Sequence, residues 1–179
     1  EYWCKKNDCI LYIYDKPKYS DLKQHRITWQ RWFDVFDCLE RENINYDKIY
    51  MVDANTMVRW DTPNFFEFFD DEWGCWRDTD NLRWIKEGID GYKSFFNDYE
   101  LSTQQYHNAG LVVFNESHKE FLKSFEKLYH DNYDFFEEAQ TKTIKKGTDQ
   151  CPLNYWLAIN NIKVKTDVPI SFKLTHIHR

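Results

Sequence analysis

The sequence is short of glycine and proline, with five and four residues in 179, and no tract is rich in either. Nothing resembles a flexible linker, and without repeats or low-complexity stretches the chain reads as one domain. No apolar run approaches the ~20 residues that a membrane-crossing helix needs, so no membrane segment is expected, and the first residues lack the pattern of a signal peptide. Basic charge is short too. Against 30 Asp and Glu stand 24 Lys and Arg, a net charge of -6 that argues against non-specific nucleic-acid binding, which needs a basic face. The five cysteines, Cys4, Cys9, Cys38, Cys75 and Cys151, include no Cys-x-x-Cys pair. An odd, scattered set argues against a zinc site or a disulfide framework and points to a reducing compartment such as the cytoplasm.

Aromatic residues are abundant. They make up 19% of the chain, with 8 Trp, 12 Tyr and 14 Phe, so apolar area does not limit the core of a 22.1 kDa domain. Charged residues make up 30%, and mean hydropathy is -0.80. This mixture describes a folded protein with wet clefts, not a disordered chain.

The pattern predicts a short strand at Ile10–Tyr14, closed by Asp15-Lys16-Pro17. An amphipathic helix is expected from Asp21 to about Asn43, since Trp29, Trp32, Phe33, Phe36 and Leu39 recur at helical spacing as a core face. Thr62-Pro63 reads as the start of a short helix through Phe69. Strands are expected at Trp73–Arg77 and Leu111–Phe114, and helices over 82–96, from Ser117 through Leu128, and from Asp149 to about Asn160. Asn115-Glu116-Ser117 is formally a glycosylation sequon, but Ser117 with Glu120 reads better as a capping box. Ile170–Thr175 reads as a last strand. Strands alternating with helices imply an α/β sandwich around a largely parallel sheet.

The richest stretch is Tyr46-Asp47-Lys48-Ile49-Tyr50-Met51-Val52-Asp53-Ala54-Asn55-Thr56. A β-forming run that stops at an acid places that acid at the carboxyl end of a strand, where open α/β sheets collect ligands. Side-chain oxygens two residues apart, Asp53 and Asn55, suit one hard divalent cation, although an Asp after a strand is also an ordinary turn residue. Three further segments sit where strands end or helices begin: Tyr106-His107-Asn108-Ala109-Gly110, Gly147-Thr148-Asp149-Gln150 and Thr175-His176-Ile177-His178. Arg31, beside Trp32, is either within reach of a phosphate or simply exposed.

In this order the segments resemble the nucleotide-sugar glycosyltransferases of the GT-A fold. The likeness is nearest to the retaining glycogenin-like and lipopolysaccharide galactosyltransferases and to the xyloglucan and galactomannan transferases. It is carried by the Glu1–Cys9 helix end, the Trp-rich helix, the Asp53-Ala54-Asn55 variant of a D-x-D strand, Asn108-Ala109-Gly110-Leu111-Val112-Val113-Phe114, Thr148-Asp149-Gln150 and the terminal Thr175-His176-Ile177-His178. The resemblance implies a Rossmann-like three-layer sandwich with a mostly parallel sheet. The chain would be a fragment of a longer one, lacking the first strand of that sheet. It also implies a Mn²⁺ or Mg²⁺ ion held by Asp53, Asn55 and either His176 or His178.

The implied donor is a UDP- or GDP-linked sugar. Asp53, Arg77, Asp78, Asn108, Ala109 and Gly110 would line the donor site, Asp149 would bind a sugar hydroxyl and Gln150 would lie at the reaction centre. The acceptor would be a carbohydrate or protein hydroxyl, with retention of configuration. Read without the family, Asp149 is equally a helix-opening residue favoured by the macrodipole, and Arg77-Asp78 equally a solvated loop. Asn55 departs from the family's second acid, and a neutral oxygen holds a hard cation less strongly. That departure leaves open a catalytically degenerate carbohydrate- or partner-binding domain. A nucleotidyltransferase would need a Gly-rich phosphate loop and a second metal carboxylate, and neither is evident.

Overall fold

The structure, a computed structural model, describes residues 1–78 and 81–166. Within them β1 (Ile49–Val52), β2 (Trp73–Arg77), β3 (His107–Phe114) and β4 (Val164–Lys165) form a single sheet. Its spatial order is β1-β3-β2-β4. The helices are α1 (Tyr2–Lys6), α2 (Ile27–Arg41), α3 (Leu82–Lys93), α4 (Lys119–Asp131), α5 (Tyr133–Glu138) and α6 (Gln150–Ile159). None of the described helices is long and apolar enough to cross a membrane.

The protein is mixed α/β, but the expected largely parallel sheet is corrected by its ladders. β3 pairs antiparallel with both β1 and β2, and only β2 and β4 pair in parallel. The reason is the position of one strand. β1, β2 and β4 share a direction, and β3, which opposes them, sits between β1 and β2, so two of the three ladders become antiparallel. The strand expected at Ile10–Tyr14 is not one. From Leu11 to Tyr14 exposed and core-facing residues alternate, with Leu11 and Ile13 exposed and Tyr12 and Tyr14 packed on the core, but Ile10 is exposed as well and this segment joins no ladder among the described residues.

Helix boundaries move for local reasons. α2 begins at Ile27 rather than Asp21, because Asp21 closes its own turn through Lys23 N and Gln24 N. The fully buried Gln30 side chain then donates to the carbonyls of Tyr19 and His25 and accepts from Tyr19 N, holding the preceding segment folded back. Thr62-Pro63 does not open a helix; a 3₁₀ turn at Phe65–Phe68 is capped instead by Asn64. The cap before α4 is Asn115, not Ser117: its Oδ1 accepts from Ser117 N, and His118 completes the reciprocal pair. α5, the π-helical turn at Ala139–Thr143 and β4 had no distinct sequence signal. The strand expected at Ile170–Thr175 lies outside the described residues.

Strand alternation divides the apolar side chains between the two faces of the sheet. Trp73, Cys75, Val112 and Phe114 join the main core with Trp29, Trp32, Phe33 and Phe36 of α2, Phe125 of α4 and Tyr155 of α6. Trp73 stacks on Phe114 at 5.1 Å between ring centroids, and Trp29 packs against Phe125, Tyr129 and Phe136. Val113 and Tyr50 face the other way into a smaller core with Trp3, Phe65 and Phe69. The Trp3 indole N–H donates to Thr62 O at 2.9 Å, which ties α1 to that second face.

Candidate functional site

The opposed direction of β3 builds the site. Its first residues lie where β1 and β2 finish: Asp53 N donates to Gly110 O at 2.9 Å, and Asp78 N donates to Tyr106 O at 3.2 Å. Asp53, Asp78 and Asn108-Ala109-Gly110 thus meet at the carboxyl ends of two strands of common direction, the usual ligand edge of an α/β sheet. α6 docks against the same edge. Asn154 is buried and its amide bridges the backbone of His107, accepting from N at 2.8 Å and donating to O at 2.9 Å. This brings the start of α6, with Asp149 and Gln150, onto the beginning of β3.

Gln150 is held at both ends. Its Nε2 donates to Asp78 Oδ2 at 2.8 Å and its Oε1 accepts from Ala109 N at 3.1 Å, which fixes the orientation of the amide. Asp149, only 4% exposed, accepts three hydrogen bonds. Arg31 Nη2 and Trp32 Nε1 each donate to Oδ2 at 2.7 Å, and Thr148 Oγ1 bonds Oδ1 at 3.0 Å. A carboxylate has about four acceptor sites, so capacity remains on Oδ1. Gly147, at φ +56°, makes the tight approach into this corner. A Cβ there would lie 3.0 Å from Cys151 Cβ and 3.2 Å from the Tyr106 hydroxyl.

Arg31 joins the two acids. Its second nitrogen, Nη1, donates to Asp53 Oδ1, while its guanidinium carbon lies 4.6 Å from the centre of the Trp32 ring. Burial alone would lower its pKa; the carboxylates of Asp149 and Asp53 outweigh that and raise it. The side chain is 16% exposed, so this arginine is neither a free surface group nor part of the apolar core. Thr28, Arg31 and Val35 follow helical spacing along the edge of the buried stripe of α2, and that flanking position is the only sequence sign of its role. Trp32 is legible as core but not as a donor, and Asn154 carries no sequence signal beyond being a polar residue in an apolar helix.

The remaining candidates are less gathered. Arg77 is exposed at the end of β2, in register with His107, and its charge adds to burial in lowering the His107 pKa to about 4. Asn55 is exposed in the turn closed by Thr56 N donating to Asp53 O at 2.8 Å. His176 and His178 lie outside the described residues.

The donor set suits a hard divalent cation in kind. Asp53 is half-exposed and keeps Oδ2 over Gly110, where an added Cβ would come within 2.5 Å of that oxygen, so glycine makes room for the carboxylate at the strand end. Asn55 offers a neutral oxygen of the same hard type. In number the set is short: among the described residues no three His, Cys, Asp or Glu side chains gather closely enough to hold a metal ion. No family model, curated protein or solved structure matches the chain.

Proposed function

We propose that this chain is a GT-A-type glycosyltransferase domain that moves a sugar from a UDP- or GDP-linked donor to a carbohydrate or protein hydroxyl, with retention of configuration. One observation carries the reading: Asp53, Asp78, Asn108 to Gly110 and Gln150, far apart in sequence, converge through hydrogen bonds at one sheet edge, and Arg31 ties Asp149 to Asp53 there. Asp53 and Asn55 would hold Mn²⁺ or Mg²⁺ with an imidazole of His176 or His178. Bound there, the cation supplies positive charge opposite the leaving diphosphate.

In this reading the residues of the chain position the sugar. The open acceptor capacity of Asp149 Oδ1 takes a sugar hydroxyl, and Asp78 and Gln150 flank the anomeric carbon. Gln150 is neutral and tied to Ala109 N and Asp78, which makes it a poor nucleophile. Attack therefore comes from the face that the diphosphate leaves. The acceptor oxygen bonds to the anomeric carbon, the carbon–diphosphate bond breaks, and the acceptor proton passes to the departing diphosphate.

Thermal stabilisation by a panel of UDP- and GDP-sugars, with and without Mn²⁺, tests the donor class, and donor hydrolysis tests the chemistry. Asp53→Ala is expected to abolish Mn²⁺-dependent nucleotide binding and to lower hydrolysis at least a hundredfold, about 3 kcal/mol of lost stabilisation. Unchanged hydrolysis by that variant overturns the reading. A second reading, a degenerate transferase-like domain that binds carbohydrate or a partner, is favoured by the neutral Asn55 and by Arg31 already engaging Asp53. It predicts no metal-coupled nucleotide binding at any concentration tested.

A further inference from the structure

We infer that Arg31 sets the cation affinity of this site by competing with the divalent ion for Asp53; this rests on the reading of Asp53 as a cation ligand. The guanidinium is a resident cation with two carboxylates to choose between. Nη2 binds Asp149 Oδ2 at 2.7 Å, and Nη1 binds Asp53 Oδ1. A divalent ion that approaches Asp53 meets a positive group on one of the two oxygens it needs. Two cations crowded onto a single carboxylate repel, so one of them gives way.

The two ends of the bridge are unequal, and this decides which contact yields. The Asp149 side chain is 6% exposed and has Trp32 Nε1 and Thr148 Oγ1 as further partners. The Asp53 side chain is 41% exposed and stands at the strand end. Removing the arginine from Asp149 would leave a buried carboxylate short of a charged partner, whereas Asp53 can exchange it for water or a metal ion. Arg31 therefore stays anchored at Asp149, against the face of Trp32, and the Arg31–Asp53 contact is the one that opens. Its strength is subtracted from every cation-binding event. Because Asn55 adds no charge to the ligand set, a modest competitor is enough to weaken binding substantially.

Mn²⁺ titration, read by calorimetry or by loss of the free-ion resonance signal, tests this without any turnover. Relative to the parent chain, Arg31→Gln is expected to bind Mn²⁺ about two- to fivefold more tightly, the size of a half-exposed ion pair. Adding Asp53→Asn to that variant should erase the gain. Arg31→Lys guards against a misfolded glutamine variant, since an ammonium anchored at Asp149 cannot span both acids, and it should bind Mn²⁺ severalfold more tightly. Equal or weaker binding by whichever variants fold overturns the inference and leaves the glycosyltransferase reading intact. Absence of Mn²⁺ binding by every variant overturns the inference together with the cation ligand role of Asp53.

Discussion

His107 is nearly buried beside the site, and its Nδ1 has no hydrogen-bond partner among the described residues. Burial first, and then the charge of Arg77, hold its pKa at about 4, below the ordinary 6.5. Between those values the unfolded chain takes up a proton that the folded chain refuses. The resulting stability is fully present above pH 6.5 and is lost as pH falls toward 4. A gap of this size is worth roughly 3 kcal/mol. His107→Gln should flatten the fall in urea midpoint between pH 6.5 and 4.5; an unchanged slope would show that another group governs it. His118 and His25 are also lowered by burial, so some slope will remain. Asp53 and Asp149 were legible as individuals, because a strand that stops at an acid and a helix that opens on one are local patterns, whereas Gln150 stood out only through the resemblance. The Arg31 bridge was not, since nothing local says that one arginine reaches two acids from different elements.

At the scale of elements, two side-chain amides join α6 to β3, those of Gln150 and Asn154, and the buried one is Asn154. Besides bridging His107, Asn154 Nδ2 bonds Gln150 O at 2.8 Å, so Asn154→Ala would leave the backbone N–H and C=O of His107 without their partner. Each such loss costs about 1–3 kcal/mol, and a total near 3 is expected in chemical denaturation. Gln150 should shift with α6, so nucleotide-sugar binding should weaken more than binding of Mn²⁺ alone, read by parallel titrations. The elements of strong period were readable from sequence: α3, α4, α6 and strands β1 to β3 lie within a few residues of expectation, and α2 is present but starts at Ile27 instead of Asp21. The failures are physical. The alternation of Leu11–Tyr14 cannot reveal whether another strand is there to pair with it, and the spacing of Ser117 and Glu120 could not foresee that Asn115 would take the cap.

On the scale of the molecule, the sheet separates two apolar layers, and Gly74 of β2 is where the smaller one presses closest. An added Cβ at that position would lie 2.4 Å from Cδ1 of Phe69, within the ring's own volume. Gly74→Ala should therefore displace Phe69, which is 1% exposed, and cost about 1–3 kcal/mol by overpacking. Thermal denaturation measures the cost, and an unchanged midpoint would mean that this layer repacks freely. Composition foretold an ample core but not its division, because which face a residue joins depends on the register of β3 with both neighbours. That register has a wider meaning. If β3 slipped by one position, Val112 and Val113 would exchange layers and Gly110 would leave Asp53, so correct assembly of the hydrophobic interior and readiness of the polar edge are one event, and a half-zipped sheet has neither.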